Sequence, residues 1–134
     1  MKLRHSEITE AILKSFYMVY NMLGYGFLEK VFANALAIEL RRMGYAVERE
    51  ARIHVYYQGE IVGEYYADLL VENVVLVETK AVKELLLEHE AQLLNYLRAT
   101  PYEVGMLLNF GPEPSYMRKA FDNERKPTRT WLKT

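Results

Sequence analysis

The chain has 134 residues, 51% of them hydrophobic, and a formal net charge of −1. That length supports one core and is too short for two comfortable domains, while near-neutrality argues against gripping nucleic acid by bulk electrostatics alone. The absence of cysteine excludes a disulfide framework and a thiolate metal site.

The first stretch carries Ser6 with Thr9 and Glu10 behind it, a helix-start pattern. Ile8, Ile12, Phe16, Val19 and Met22 follow at helical spacing, predicting an amphipathic helix over residues 6–22. Glu7, Glu10 and Lys14 interrupt its apolar residues, so it lacks the continuous core of a signal peptide. No segment approaches the roughly 20 apolar residues that span a bilayer, and a cytoplasmic setting without a membrane partner is the expectation. Gly24-Tyr25-Gly26 predicts a turn.

A second helix is expected over residues 27–43, with Leu28, Val31, Phe32, Ala35, Leu36 and Leu40 on one stripe and Gly44 as its stop. Glu29 lies in its first turn. A carboxylate there suits the positive end of the helix dipole. It also shares the three- and four-residue spacing of Phe32 and Leu36, which would turn it inward, and periodicity fits both readings. Residues 45–57 then alternate apolar and polar, predicting a long strand bent near Glu50-Ala51. His54, with no acid beside it on its own strand face, reads as a surface or packing residue.

Residues 67–81, ADLLVENVVLVETKA, carry three ionisable groups at the edge of apolar runs. Strands over residues 61–71 and 74–80 would form a hairpin and, with the preceding strand, a meander. Side chains alternate along a strand, so Glu78 and Lys80 share a face and Thr79 takes the other. Asp68 joins Glu78 only if the intervening loop is of odd length or bulged, since a two-residue loop would set Asp68 against Val77. We expect the odd loop. Two converging carboxylates repel unless a proton or cation lies between them, and oxygen ligands suit magnesium or manganese. The plainer alternative is a strand-end salt bridge between Glu78 and Lys80, with Asp68 capping a turn.

After Lys80, helix formers fill AVKELLLEHEAQLLNYLRATP up to Pro101. Leu86, Glu90, Leu93 and Leu97 lie along one side of this helix, and His89, Gln92 and Tyr96 along the next. Residues 102–109 predict an aliphatic strand, and 115–121 an edge strand. A helix between two strands implies one parallel pairing in an otherwise antiparallel sheet. From Glu113 onward six basic residues (Arg118, Lys119, Arg125, Lys126, Arg129, Lys133) face three acidic ones, the pattern of a solvated tail or of one that tracks phosphates. The expected boundaries are a domain over 1–122 and a polar tail over 123–134, loose unless Trp131 docks.

The ordered blocks GFLEKVF, GEYYADLLVE, VETKAV, HEAQLLNYL and VGMLLNFG, within residues 8–111, resemble the GxxExxY family of the PD-(D/E)XK nuclease-like superfamily. The resemblance implies an α/β (α+β) single domain with a mixed, mostly antiparallel sheet flanked by helices. Its core would be restriction-endonuclease-like, αβββαβ, with an extra N-terminal helix. It further implies that Asp68 and Glu78, with the Thr79 backbone carbonyl, hold Mg2+ or Mn2+. Lys80 would orient or activate water, with Glu29 and Gln92 at the same site. Phe32 stands where the family has its tyrosine, which removes a hydroxyl; Phe32 and Tyr96 would play supporting parts.

The implied activity is hydrolysis of DNA or RNA phosphodiesters. The rival is a non-catalytic interaction module on the same fold, its cradle completed by a partner or by a second copy in a homo-oligomer. A small-phosphoester hydrolase would instead need a closed pocket.

Overall fold

The computed structural model describes residues 4–126 and Trp131. Two helices, α1 (Ser6–Leu23) and α2 (Glu29–Arg42), precede three strands, β1 (Val47–Tyr57), β2 (Glu60–Val71) and β3 (Val75–Lys80). Helix α3 (Leu87–Ala99), β4 (Val104–Phe110), β5 (Pro114–Ala120) and a 3-10 turn (Asn123–Arg125) follow. The five strands form one sheet in the order β1-β2-β3-β4-β5. Only β3 and β4 pair in parallel, because α3 carries the chain back between them. This is the α+β architecture of a mixed, mostly antiparallel sheet flanked by helices that the resemblance implies.

The apolar stripes explain the layers. Ile12, Phe16 and Val19 of α1, and Phe32, Leu36 and Leu40 of α2, pack on one face of the sheet against Leu69, Val71, Val75 and Val77. On the opposite face Tyr96 and Leu97 of α3 meet Ala51, Ile53, Leu70 and Leu76. Strand β4, apolar except for Asn109, is buried along its whole length, as a strand covered on both faces must be. Gly105 lets α3 come down on it, since a Cβ there would lie 2.7 Å from Leu93 Cδ1.

Two local features set the functional geometry. The loop between β2 and β3 is Glu72-Asn73-Val74, with Val71 paired to Val75. Glu72 and Asn73 turn it with φ of 51° and 57°. Its odd length is the one expected, and extending the register from the Leu69–Val77 pair sets Asp68 across from Glu78.

The second feature is the bend. Glu50 takes a φ of 53° inside β1, between the Arg49–Leu69 and Ala51–Ala67 pairs, and so stands across from Asp68. Leu69 joins the α1/α2 core and Leu70 the α3 core, yet Ala67 joins the α3 core as well. In-and-out alternation therefore slips by one residue at Asp68, where the outer part of the hairpin swings toward α3.

The structure departs from the sequence reading in two places. Helix α3 begins at Leu87 rather than just after Lys80. The Asn109 amide accepts from the Val82 N–H and donates to the Val82 carbonyl, both at 3.0 Å, so the chain beyond Lys80 stays tethered to β4. Nor is the basic C-terminal region solvated throughout. Lys119 pairs with Glu90 at 2.7 Å, Arg118 donates to the Arg4 carbonyl, and Lys126 is buried. Trp131 lies with the Lys126 ammonium 4.9 Å from its ring centroid. Arg129 and Lys133 lie outside the described residues.

Candidate active site

The site forms where β2 and β3 fork. Up to Leu69–Val77 the two strands are joined by paired backbone; at Asp68 and Glu78 side chains take over the hydrogen bonding. The Asp68 N–H donates to Glu78 Oε1 at 3.0 Å. Asp68 Oδ2 accepts from the Thr79 N–H at 2.7 Å and from Thr79 Oγ1 at 2.8 Å. Each carboxylate is thus fixed through one oxygen, and Asp68 Oδ1 and Glu78 Oε2 have no hydrogen-bond partner among the described residues. Two free carboxylate oxygens on facing strands make an oxygen-donor notch.

Electrostatics mark the notch as incomplete. Glu78 is 6% exposed. Burial, then repulsion from Asp68, push its pKa up to about 8, with Glu29 adding a smaller repulsion; the Asp68 N–H and Lys80 oppose the shift. A carboxyl held mostly protonated at neutral pH by burial and by a neighbouring acid is the kind of perturbed group that functional sites collect.

Alternation places Lys80 on the Glu78 face and Thr79 on the other. The contacts agree: Thr79 Oγ1 lies 3.5 Å from the Glu29 carbonyl on the α2 side, and Lys80 Nζ lies 3.4 Å from Gln92 Oε1 on the α3 side. The Gln92 amide donates onward to the Tyr96 hydroxyl at 3.1 Å, so both its ends are engaged and the lysine is held at one of them. Burial, then the Glu78 carboxylate, push Tyr96 up to about 12, which keeps its hydroxyl protonated.

Of the residues singled out from sequence, Asp68, Glu78, Thr79 and Lys80 gather at the fork, with Gln92 and Tyr96 adjoining from α3. Glu29 stands at the mouth. It is the first residue of α2 and exposed, while Phe32 and Leu36 on its stripe are fully buried. Phe32 stacks on Phe110 with ring centroids 4.3 Å apart and planes 8° from parallel, as part of the α1/α2 core. Glu29 also borders an open hollow of about 720 Å³ with Tyr25, Phe27 and Lys83.

His54 has a partner that reading along one strand misses. Glu64 is directly across from it in β2, with Nε2 to Oε2 at 3.2 Å. Among the described residues no group of three or more His, Cys, Asp or Glu side chains is arranged for a metal. The fork offers two carboxylates, and magnesium is commonly held by one or two carboxylates with water and substrate oxygens completing the shell.

The sequence reading overlooked Asn109 and Gly111. Asn109 is fully buried in an otherwise apolar strand, which by itself signals an obligatory hydrogen-bonding duty. That duty is tethering Val82, two residues beyond Lys80. Gly111 is required by the same approach, since a Cβ there would lie 2.1 Å from the Val82 carbonyl oxygen.

Comparison with curated proteins returned no match. Among solved structures the chain is similar to one described as the crystal structure of SSO0001, with a TM-score of 0.56 and 19% sequence identity. The similarity covers 87% of this chain and 59% of that one, so the chain spans about three fifths of its length; likeness at this identity speaks to the fold. The family model described as the PD-(D/E)XK nuclease superfamily matches residues 6–121. With that match spanning nearly all of the described chain, the protein belongs to the PD-(D/E)XK nuclease superfamily.

Proposed function

We propose that this protein is a divalent-metal-dependent nuclease of the GxxExxY type, hydrolysing phosphodiester bonds of DNA or RNA. The observation that carries the reading is the fork itself, where two carboxylates each present an unengaged oxygen and a lysine is held beside them. Asp68 and Glu78, with the Thr79 carbonyl, would hold Mg2+ or Mn2+, since the free donors are all hard oxygens. When bound, such an ion polarises a phosphoryl oxygen and lowers the pKa of a bound water.

The protein's own groups do the rest. The Lys80 ammonium places positive charge where the phosphoryl group gains negative charge, and it can orient the attacking water. Gln92, fixed by Tyr96, keeps Lys80 from swinging away. Thr79, through its N–H and hydroxyl, fixes Asp68 in the rotamer that aims Oδ1 into the notch. Glu29, at the mouth, is placed to meet water or substrate from the α2 side. A chain without cysteines that acts on nucleic acid fits a cytoplasmic setting.

The test is calorimetric titration of Mn2+ and Mg2+ into wild type and Asp68→Asn, with a cleavage screen over single- and double-stranded DNA and RNA. Asparagine retains an oxygen for the Thr79 donors, so the variant should fold. Wild type is expected to bind metal and cleave; Asp68→Asn should lose metal binding and at least about 100-fold in cleavage rate. Metal binding with no cleavage of any substrate would favour the non-catalytic module. No metal binding at millimolar concentration would remove the enzymatic reading.

A further inference from the structure

The β1–β2 hairpin and α3 enclose an open groove of about 810 Å³, a volume within the range of roughly 300–1,000 Å³ that takes small-molecule-sized groups. Tyr56 and Tyr65 wall it from the hairpin, and Gln92, Asn95 and Tyr96 from α3. We infer that this groove seats an unpaired nucleotide with its base stacked on Tyr65, making single-stranded nucleic acid the preferred substrate class. The inference rests on the nuclease reading of the adjoining fork.

Three observations carry it. The groove runs directly into the site, because Gln92 both lines it and faces Lys80 at 3.4 Å. A strand lying in the groove would have its backbone led to the lysine.

The aromatic surface is built and open. Tyr65 and Tyr96 have ring centroids 5.7 Å apart. Tyr96 is 6% exposed and Tyr65 48% exposed, so the buried ring backs the open one. A supported, exposed ring is a stacking platform that accepts any base.

The third observation is charge. Besides its tyrosines, the titratable side chains lining the groove are Arg98, His89 and Glu88, nearly balanced. Two of them have internal duties: Arg98 lies over the Phe121 ring at 5.3 Å, and His89 Nδ1 accepts the Leu86 N–H at 2.9 Å. Duplex binding draws on several Lys or Arg at phosphates, and the nearby Lys119 and Lys126 are committed to internal partners. Among the described residues Arg98 is the one Lys or Arg lining the groove, so base faces, which a duplex conceals and a single strand offers, are the main source of affinity within it. Asn95, exposed on the α3 wall, adds a donor and an acceptor for a base edge.

The experiment is fluorescence anisotropy in EDTA with a labelled oligothymidylate, its oligouridylate counterpart and a DNA duplex of matched length. Wild type should bind single strands more tightly than the duplex. Tyr65→Ala should weaken single-strand binding by roughly 5- to 150-fold, equivalent to one base stack of about 1–3 kcal/mol. Tyr65→Phe, which keeps the ring, should stay within about twofold of wild type. Tyr57→Ala, at a residue 66% exposed and outside the groove, should leave binding unchanged. The two polymers show whether the groove accepts DNA and RNA single strands alike.

Equal or tighter duplex binding, an unchanged Tyr65→Ala, or an equal loss in Tyr57→Ala would overturn the inference. Because binding is read without turnover, its failure differs from failure of the nuclease reading. Tyr65-dependent single-strand binding in a protein that cleaves nothing would uphold the groove and remove the chemistry.

Discussion

Glu78 at the fork and Lys126 beyond β5 are withdrawn from water to the same degree, each 6% exposed, and their surroundings are opposites. Lys126 Nζ donates to the Thr100 carbonyl at 2.7 Å, the Tyr102 carbonyl at 2.9 Å and Asn123 Oδ1 at 2.6 Å. Burial pulls its pKa down to about 8, against the pull of Glu103 and Asp122. Three acceptors nevertheless engage three hydrogens, which only the ammonium carries. Glu78 receives one N–H, from Asp68, and faces the Asp68 and Glu29 carboxylates. The lysine's charge is matched by the protein, whereas at Glu78 burial and the two carboxylates outweigh Lys80 and hold the pKa raised. Burial alone therefore does not identify a site; burial with a missing counter-charge does.

The sharpest break of this contrast is the pH dependence of stability without metal. The Glu78 pKa rises from 4.5 unfolded to about 8 folded, so folding favours the protonated carboxyl. Its stabilising contribution is fully present below about pH 4.5 and is lost as pH rises through about 8. Denaturant titrations of wild type in EDTA should show stability falling by several kcal/mol across that window beyond the trend of Glu78→Gln. At pH 8 the glutamine variant should be the more stable protein. Mn2+ should restore wild type and leave Glu78→Gln little changed, since ligand binding to the folded state stabilises it by mass action. Coincident wild-type and Glu78→Gln curves would mean that Glu78 is already satisfied, and the contrast with Lys126 would fail.

The two regions also differ in how far the sequence reveals them. The fork is legible because its determinants are local. Alternation along VETK separates Thr79 from Glu78 and Lys80, and the requirement that Asp68 meet Glu78 demands the odd loop that Glu72, Asn73 and Val74 form. The parallel β3–β4 pair follows from a helix lying between two strands. Hidden from sequence are events that depend on distant partners. Asn109 holds Val82 and delays α3 to Leu87, and Glu64 reaches His54 across the hairpin. The slip in alternation at Asp68 needs Glu50 in the left-handed region on a neighbouring strand. Lys126 reads as a tail charge because its three acceptors, Thr100, Tyr102 and Asn123, are invisible as acceptors in a one-dimensional pattern.

Lys126→Met tests the completed side of the contrast. Methionine retains most of the apolar stem, so the loss isolates the ammonium and its bonds. Leaving the Thr100 and Tyr102 carbonyls without their donor should lower stability by about 1–3 kcal/mol. Metal affinity and cleavage should be unchanged, because nothing at Lys126 touches the fork. A loss of metal affinity matching that of Asp68→Asn would show that the two regions are coupled and that Lys126 is not simply structural.

The smallest expected effect comes from a charge that is neither buried nor orphaned. Lys119 on β5 and Glu90 on α3 pair at 2.7 Å with side chains 30% and 25% exposed. Water still reaches both partners, so their attraction is screened and removing one leaves the other solvated. Lys119→Met should therefore cost less than about 1 kcal/mol, shrinking further at high salt. The same substitution at Lys126 removes a buried nitrogen that meets three acceptors and two aromatic rings, so the gap between the two unfolding free energies measures what that whole enclosure adds. Equal losses at the two positions would mean that Lys126 gains nothing from its cage. The contrast with Glu78 would then have to rest on repulsion at the fork alone.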